Sequence, residues 1–177
     1  MKKLRNSIVW VFGPSAAGKE TLINYLATKK AEPLLKKMDM ANAEIVVCQE
    51  SIDWVAQYKD DPKGPKRELL LSIVPKYAVG HNKAILIKGQ TLDLDHNRVR
   101  RMKKKLPNCE HIIFVMTGDS KELFQRWKDN KSWYKEEDSL NDVKKEIIGH
   151  KEEVFRLSNE FRIITIDGRA GMNYAIT

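Results

Sequence analysis

Cysteine is scarce. The chain holds two, Cys48 and Cys109, far apart and without metal-ligand spacing. That pattern excludes a disulfide framework and reads as reduced thiols in a cytoplasmic protein. Long apolar runs are missing too. No stretch approaches the roughly 20 residues needed to cross a bilayer, so no membrane partner is expected. The opening Met1-Lys2-Lys3-Leu4-Arg5 is followed at once by a strand-like run, which argues against a signal peptide. The four histidines, His81, His96, His111 and His150, share no metal spacing; His150 falls on the apolar seam of a helix, as a core histidine would. Repeats and low-complexity tracts are absent. Acidic excess is also lacking, with 32 Lys and Arg against 24 Asp and Glu. The resulting charge of +8 suits an anionic ligand or nucleic acid and does not choose between them. What remains is a chain of 177 residues, 42% hydrophobic and 32% charged. That is one globular domain, 1–177, with enough residues to bury a core.

The most informative stretch runs over 8–26. Residues 8–12 are all apolar, a length that suits a strand buried on both faces. Leu22, Ile23 and Leu26 recur at helical spacing, so a helix follows. Between them lies Gly13-Pro14-Ser15-Ala16-Ala17-Gly18-Lys19, which fits G-x-x-x-x-G-K, the strand–loop–helix phosphate cradle. Loop N–H groups and the positive end of the helix would converge on phosphate oxygens, and Lys19 would add a mobile charge for the β- and γ-phosphates. One position departs from the pattern. The Ser or Thr that binds Mg²⁺ through its hydroxyl is replaced by Glu20, and Thr21 follows. Glu20 is therefore a candidate Mg²⁺ ligand, or a carboxylate that repels the nucleotide or faces solvent.

Four further apolar runs follow at 45–48, 84–87, 112–116 and 163–166. Helical patterns separate them. Leu70, Ile73, Val74 and Tyr77 form one stripe, in which Pro75 is expected to kink or shorten the helix. Residues 98–105 make a basic stretch stopped by Pro107. Asp119 with Glu122 resembles a capping box ahead of Leu123, Phe124 and Trp127. A long helix begins near Ser139, with Leu140, Ile147, Val154 and Phe161 every seven residues and Val143 and Leu157 between. Strand-like runs alternating with helices predict an α/β fold, a parallel sheet covered on both faces. Ligands collect beyond the carboxyl ends of such strands.

With this loop and element order the chain resembles the P-loop kinases of the nucleoside and nucleotide kinase group. The likeness spans nearly the whole chain but is specific only at 13–19. It implies a three-layer P-loop NTPase fold with a five-stranded parallel sheet ordered 2-3-1-4-5 and helices on both faces. It also implies ATP with Mg²⁺ at the loop, contacted by Gly13, Pro14, Ser15, Ala16, Ala17, Gly18, Lys19, Glu20 and Thr21, and a small acceptor across the cleft. The family often has an Asp at the end of the third strand, where this chain reads Lys88-Gly89. Glu20 could supply the carboxylate missing there. Arg126 matches a phosphate-contacting arginine, with Lys128, Lys131 and Lys135 extending that field over a lid-like segment near 127–138. Arg169 follows the last strand, where the family holds adenine and a guanidinium can stack.

A base for the acceptor hydroxyl would lie past the second strand, where Asp53 and Glu50 are candidates. Asp53 could equally be an N-cap for a helix over 54–58, and Glu50 a solvated carboxylate. Arg67, Gln90, Thr91 and Asp93 are placed to meet an acceptor, and Trp127, Trp133 and Tyr134 to flank a base, although the spacing of Trp127 is that of a core residue. The sequence thus supports a kinase of a small, nucleotide-like acceptor. Two alternatives stand beside it: a nucleotide-binding or slow ATPase module with a regulatory role, and a polynucleotide-end kinase. The last is disfavoured, because the basic stretch carries no aromatic residue to stack on bases. The oligomeric state is left open.

Overall fold

The computed structural model describes residues 5–56, 68–89, 92–129, 139–168 and 174–176. Strands β1 (Ser7–Phe12), β2 (Glu44–Val47), β3 (Lys83–Lys88), β4 (Glu110–Thr117), β5 (Arg162–Gly168) and β6 (Tyr174–Ile176) form a single sheet ordered β2-β3-β1-β4-β5-β6. The first five run parallel in the order 2-3-1-4-5, as the resemblance to P-loop kinases implied. The sixth adds an antiparallel edge on β5, pairing Ile166 with Ile176. Nothing in the short Tyr174-Ala175-Ile176 run marks it as a strand in advance; its pairing comes from the open edge of β5.

The apolar run of β1 is buried along its whole length, because the strand is flanked on both sides and covered on both faces. Alternation then sorts its side chains. Val9 and Val11 face a core built with Leu22, Ile23 and Leu26 of α1 (Lys19–Leu26) and Leu34 and Leu35 of α2 (Glu32–Lys37). Ile8, Trp10 and Phe12 face a second core, with Leu70 and Val74 of α4 (Leu70–Tyr77) and Val99 and Met102 of α5 (Leu92–Lys105). Helix α3 (Gln49–Ala56) follows β2 directly, α6 (Ser120–Asp129) follows β4, and α7 (Leu140–Leu157) leads back to β5.

Several local expectations change. The segment after α1 is helical, with Pro33 in the first turn of α2, where its missing N–H costs nothing. Helix α4 continues through Pro75 and ends two residues later, at Tyr77. Asp119 caps α6, its Oδ1 accepting from the N–H groups of Lys121 (2.9 Å) and Glu122 (3.1 Å), but the Glu122 carboxylate turns to Arg126. Half of the expected capping box forms. The full reciprocal box lies at α7, where the Ser139 N–H and hydroxyl both reach Asp142. Helix α7 stops at Leu157, so Phe161 leaves the heptad row and enters the core from the turn beyond it. His150 is buried on α7, as its place in the seam required.

The carboxyl end of β3 is held closely against β1. Gly89 N–H donates to the Val11 carbonyl at 2.9 Å, and a Cβ at Gly89 would lie 2.0 Å from Cε1 of the fully buried Phe12. Phe12 cannot step aside easily, since it stacks on Trp10 with ring centroids 5.8 Å apart. Gly89→Ala is therefore expected to destabilise the fold by about 1–3 kcal/mol, the usual cost of overpacking. Urea unfolding would show this as a lower midpoint with an unchanged slope.

Candidate functional site

Beyond Phe12 the chain turns through the glycine-rich loop. A Cβ at Gly13 would sit 2.9 Å from the Cβ of Met116 and 3.0 Å from its carbonyl oxygen, so only glycine lets β1 leave the sheet beside β4. Ala16 (φ 61°) and Gly18 (φ 84°) take left-handed conformations, and Ala17 N–H closes a turn on the Pro14 carbonyl at 3.2 Å. Such turns, set at the positive end of α1, are the backbone conformations from which anion-binding loops are built. Lys19 folds across the loop, its Nζ donating to the carbonyls of Gly13 (2.8 Å) and Pro14 (3.0 Å).

The loop grips a carboxylate. Ser15 donates its N–H to Glu146 Oε2 at 2.7 Å and its hydroxyl to Glu146 Oε1 at 3.1 Å. Glu146 comes from α7, 131 residues further along the chain. Carboxylate and phosphate oxygens are the same kind of acceptor. Nothing in the sequence around Glu146 pointed to this role, because only the packing of α7 brings it to the loop.

The residues at the expected metal position are also brought together. Glu20 and Lys88, the two departures from the family pattern, form an ion pair with Nζ 2.9 Å from Oε2. Lys88 is held in place through its backbone: its N–H donates to the buried Ser51 hydroxyl at 2.9 Å, and Ser51 in turn donates to the Cys48 carbonyl at 2.7 Å. This donor set does not fit Mg²⁺, which needs several hard oxygens in octahedral array. The hydroxyl after Lys19 is absent, the Glu20 carboxylate is bound to an ammonium group, and Thr21 is exposed on α1. Among the described residues, no three His, Cys, Asp or Glu side chains are grouped to hold a metal ion.

Past β2, both candidate acids lie on α3. Asp53 is inside this helix, which starts at Gln49, and so is not an N-cap; it is exposed and accepts from Gln49 Nε2 at 3.0 Å. Glu50 is half-buried and accepts from the Tyr77 hydroxyl at 2.7 Å and the Cys48 thiol at 3.6 Å. Burial is the largest single influence on Glu50 and works against its charge, but the hydrogen bonds from Tyr77, its own backbone and Cys48, with the nearby Lys76 charge, together hold the carboxyl below its ordinary value. The bond to Glu50 pushes the Tyr77 phenol up to about 12. Burial pushes the Cys48 thiol up to about 12 as well, which leaves it inert at neutral pH.

On the other side of the loop a cleft of about 530 Å³ opens beyond β4 and β5, lined by Pro14, Thr117, Asp119, His150, Lys151 and Asp167 among others. Arg126 borders the end of β5. It pairs with Glu122, and its Nη1 reaches the Gly168 carbonyl at 3.4 Å. Trp127 packs against the core, as its spacing indicated. Lys131, Trp133, Tyr134, Lys135, Arg67, Gln90, Thr91 and Arg169 lie outside the described residues, as do the side chain of Asp93 and most of the expected lid.

The basic helix α5 turns its charge to partners. Arg98 and Arg101 pair with Glu68 (2.7 and 2.5 Å), Arg98 also with the buried Asp95, and Arg100 with Glu160 (2.8 Å). Val99 and Met102 are buried beneath them.

This sheet order, with a phosphate-type loop between β1 and α1, defines the P-loop kinase fold, and comparison with solved structures agrees. A gluconokinase from Sinorhizobium meliloti matches at TM-score 0.53 and 12% identity, over 94% of this chain and 85% of that one. A deoxyadenosine kinase from M. mycoides, solved with the products dCMP and dCDP, matches at 0.51 and 15%, over 91% and 90%. A structure from the PezAT chromosomal toxin–antitoxin system of Streptococcus pneumoniae matches at 0.57 and 14%, over 98% and 71%. At these identities the likeness establishes the fold. No family model and no curated protein sequence matches the chain.

The Glu50–Tyr77 bond has a pH signature. Glu50 favours the fold above its ordinary value of 4.5, and this contribution is lost as pH falls through its lowered folded value. Tyr77 contributes below its ordinary value of 10.0, and loses that contribution as pH rises towards about 12. Tyr77→Phe should cost about 1 kcal/mol near neutrality, reduced by solvent screening at this half-open site, and less at both pH extremes. Urea titrations at pH 3, 7 and 11 would check it.

Proposed function

We propose that the chain is an ATP-dependent kinase acting on a small, anionic or nucleotide-like acceptor. The observation that carries this reading is the clasp of Ser15 on the Glu146 carboxylate, an anion already seated at the loop. In the nucleotide complex a phosphate takes that position, and Lys19 swings from the loop carbonyls to the β- and γ-phosphates. The nucleoside enters the cleft beyond β4 and β5, with Arg126 at its edge and Arg169 a candidate to stack on the base. The acceptor lies on the α3 side. Its hydroxyl oxygen attacks the γ-phosphorus, the bond to the β–γ bridging oxygen breaks, ADP leaves, and the proton passes to Asp53 or Glu50. Asp53 is the more open of the two, since Glu50 is tied to Tyr77. The loop amides and Lys19 supply the positive field that balances charge during transfer. No residue is assigned to Mg²⁺, because the donors at the loop do not suit it.

The reading places the protein in the cytoplasm. None of the described helices is long and apolar enough to cross a membrane. The pairing of Arg98, Arg100 and Arg101 with acids speaks against a nucleic-acid surface on α5. A second reading, a nucleotide-binding or slow ATPase module, draws support from the ion pair at the metal position. Incubating the purified protein with γ-labelled ATP and a panel of acceptors separates the two: label moves to an acceptor in the first and only to phosphate in the second.

Two variants test the loop itself. Lys19→Ala should weaken ATP ten- to a hundredfold, the equivalent of about 1.5–3 kcal/mol for a charge-assisted contact. Glu146→Gln should act in the opposite direction. Removing the competing charge is expected to tighten ATP by several-fold to about tenfold, read by calorimetry, with the gain shrinking as salt is added.

A further inference from the structure

Glu20 and Lys88 depart from the phosphate-loop pattern separately in sequence, yet they meet in space. Glu20 stands in the first turn of α1, next to Lys19, with its side chain 51% exposed. Lys88 closes β3, with its side chain only 13% exposed. Its placement is over-determined. The backbone on one side is tied to Ser51, and on the other Gly89 N–H is tied to Val11 of β1. The Lys88 stem is thus largely covered, and its ammonium group is fixed at the head of α1, where Glu20 anchors its Nζ at 2.9 Å in an open contact.

We propose that Lys88, held by Glu20, does the electrostatic work that a protein-anchored divalent cation would do, so that this site binds nucleoside polyphosphate without a divalent cation. The inference rests on the kinase or nucleotide-binding reading above. Two features of the pair support it. An ammonium group paired with Glu20, the residue next to Lys19, offers positive charge and hydrogen bonds to phosphate oxygens with no coordination geometry to satisfy. The same group repels a divalent ion and occupies the one carboxylate that could ligate it. Glu20 then has a positioning role: it keeps Lys88 extended towards α1 while the loop is empty of phosphate, and yields it in part when phosphate arrives.

The test is calorimetric titration of the whole chain with ATP and ADP, in excess Mg²⁺ and again in excess EDTA. The expected result is an affinity in EDTA no weaker than in Mg²⁺. Lys88→Gln should lose at least tenfold in EDTA, Lys88→Arg should keep most of the binding, and the double variant Glu20→Ser with Lys88→Asp should bind ATP only with Mg²⁺. A wild-type affinity that falls tenfold or more in EDTA overturns the inference while leaving the nucleotide reading intact. Equal affinities for wild type and a folded Lys88→Gln variant in EDTA overturn it as well. No binding in either buffer overturns both.

Discussion

Backbone N–H groups that point into one loop make a positive concavity, and much of this molecule is arranged around that constraint. The turn follows from how β1 passes into α1 through Gly13 and Gly18, with left-handed conformations at Ala16 and Gly18 and the Ser15 N–H left to donate to an anion. The protein answers the resulting charge with the Glu146 carboxylate, seated on Ser15, while the Lys19 ammonium rests on the carbonyls of Gly13 and Pro14. Phosphate oxygens would be acceptors for Ser15 and Lys19 alike.

The sheet determines what can surround the loop. Five parallel strands bring their carboxyl ends to one edge, so that β2 with α3 supplies acids on one side, and β4 with β5 frames the cleft on the other. Helix α7 links the two cores, with Val143 in one and Leu157 in the other. That span carries Glu146 to the loop and His150 to the cleft. Packing of apolar residues at the two ends of a helix thus places polar residues in its middle.

Excess positive charge is not a guide to function here. The arginines of α5 are matched by Glu68, Asp95 and Glu160 beside buried Val99 and Met102, while Lys103, Lys104 and Lys105 at its end are exposed. Such pairs contribute little to stability at the surface, but they do decide which cations face solvent unmatched. The same reasoning applies to Glu20 and Lys88. Each looks like a defect in the motif when read alone, and in space they form one ion pair that holds the Lys88 ammonium beside the start of α1.

The sequence alone determined the strand–loop–helix at 8–26, the alternation of apolar runs with helices, the burial of His150 and the packing of Trp127 against the core. Those features depend on local spacing: a strand buried on both faces must be apolar throughout, and a helix must repeat near 3.6. It also pointed to Glu20 and Lys88 as departures and to Asp53 and Glu50 as acids past β2. Tertiary structure decided the partners. Glu146 on Ser15, Tyr77 on Glu50 and Lys88 on Glu20 join residues 131, 27 and 68 positions apart, and no local pattern encodes such distances. It likewise decided that Asp53 lies inside a helix, that Glu122 serves Arg126 and not the cap, and that β6 fills the edge of β5. Hydrogen bonds and ion pairs depend on positions in space to within a few tenths of an ångström, which only the packed sheet and helices define.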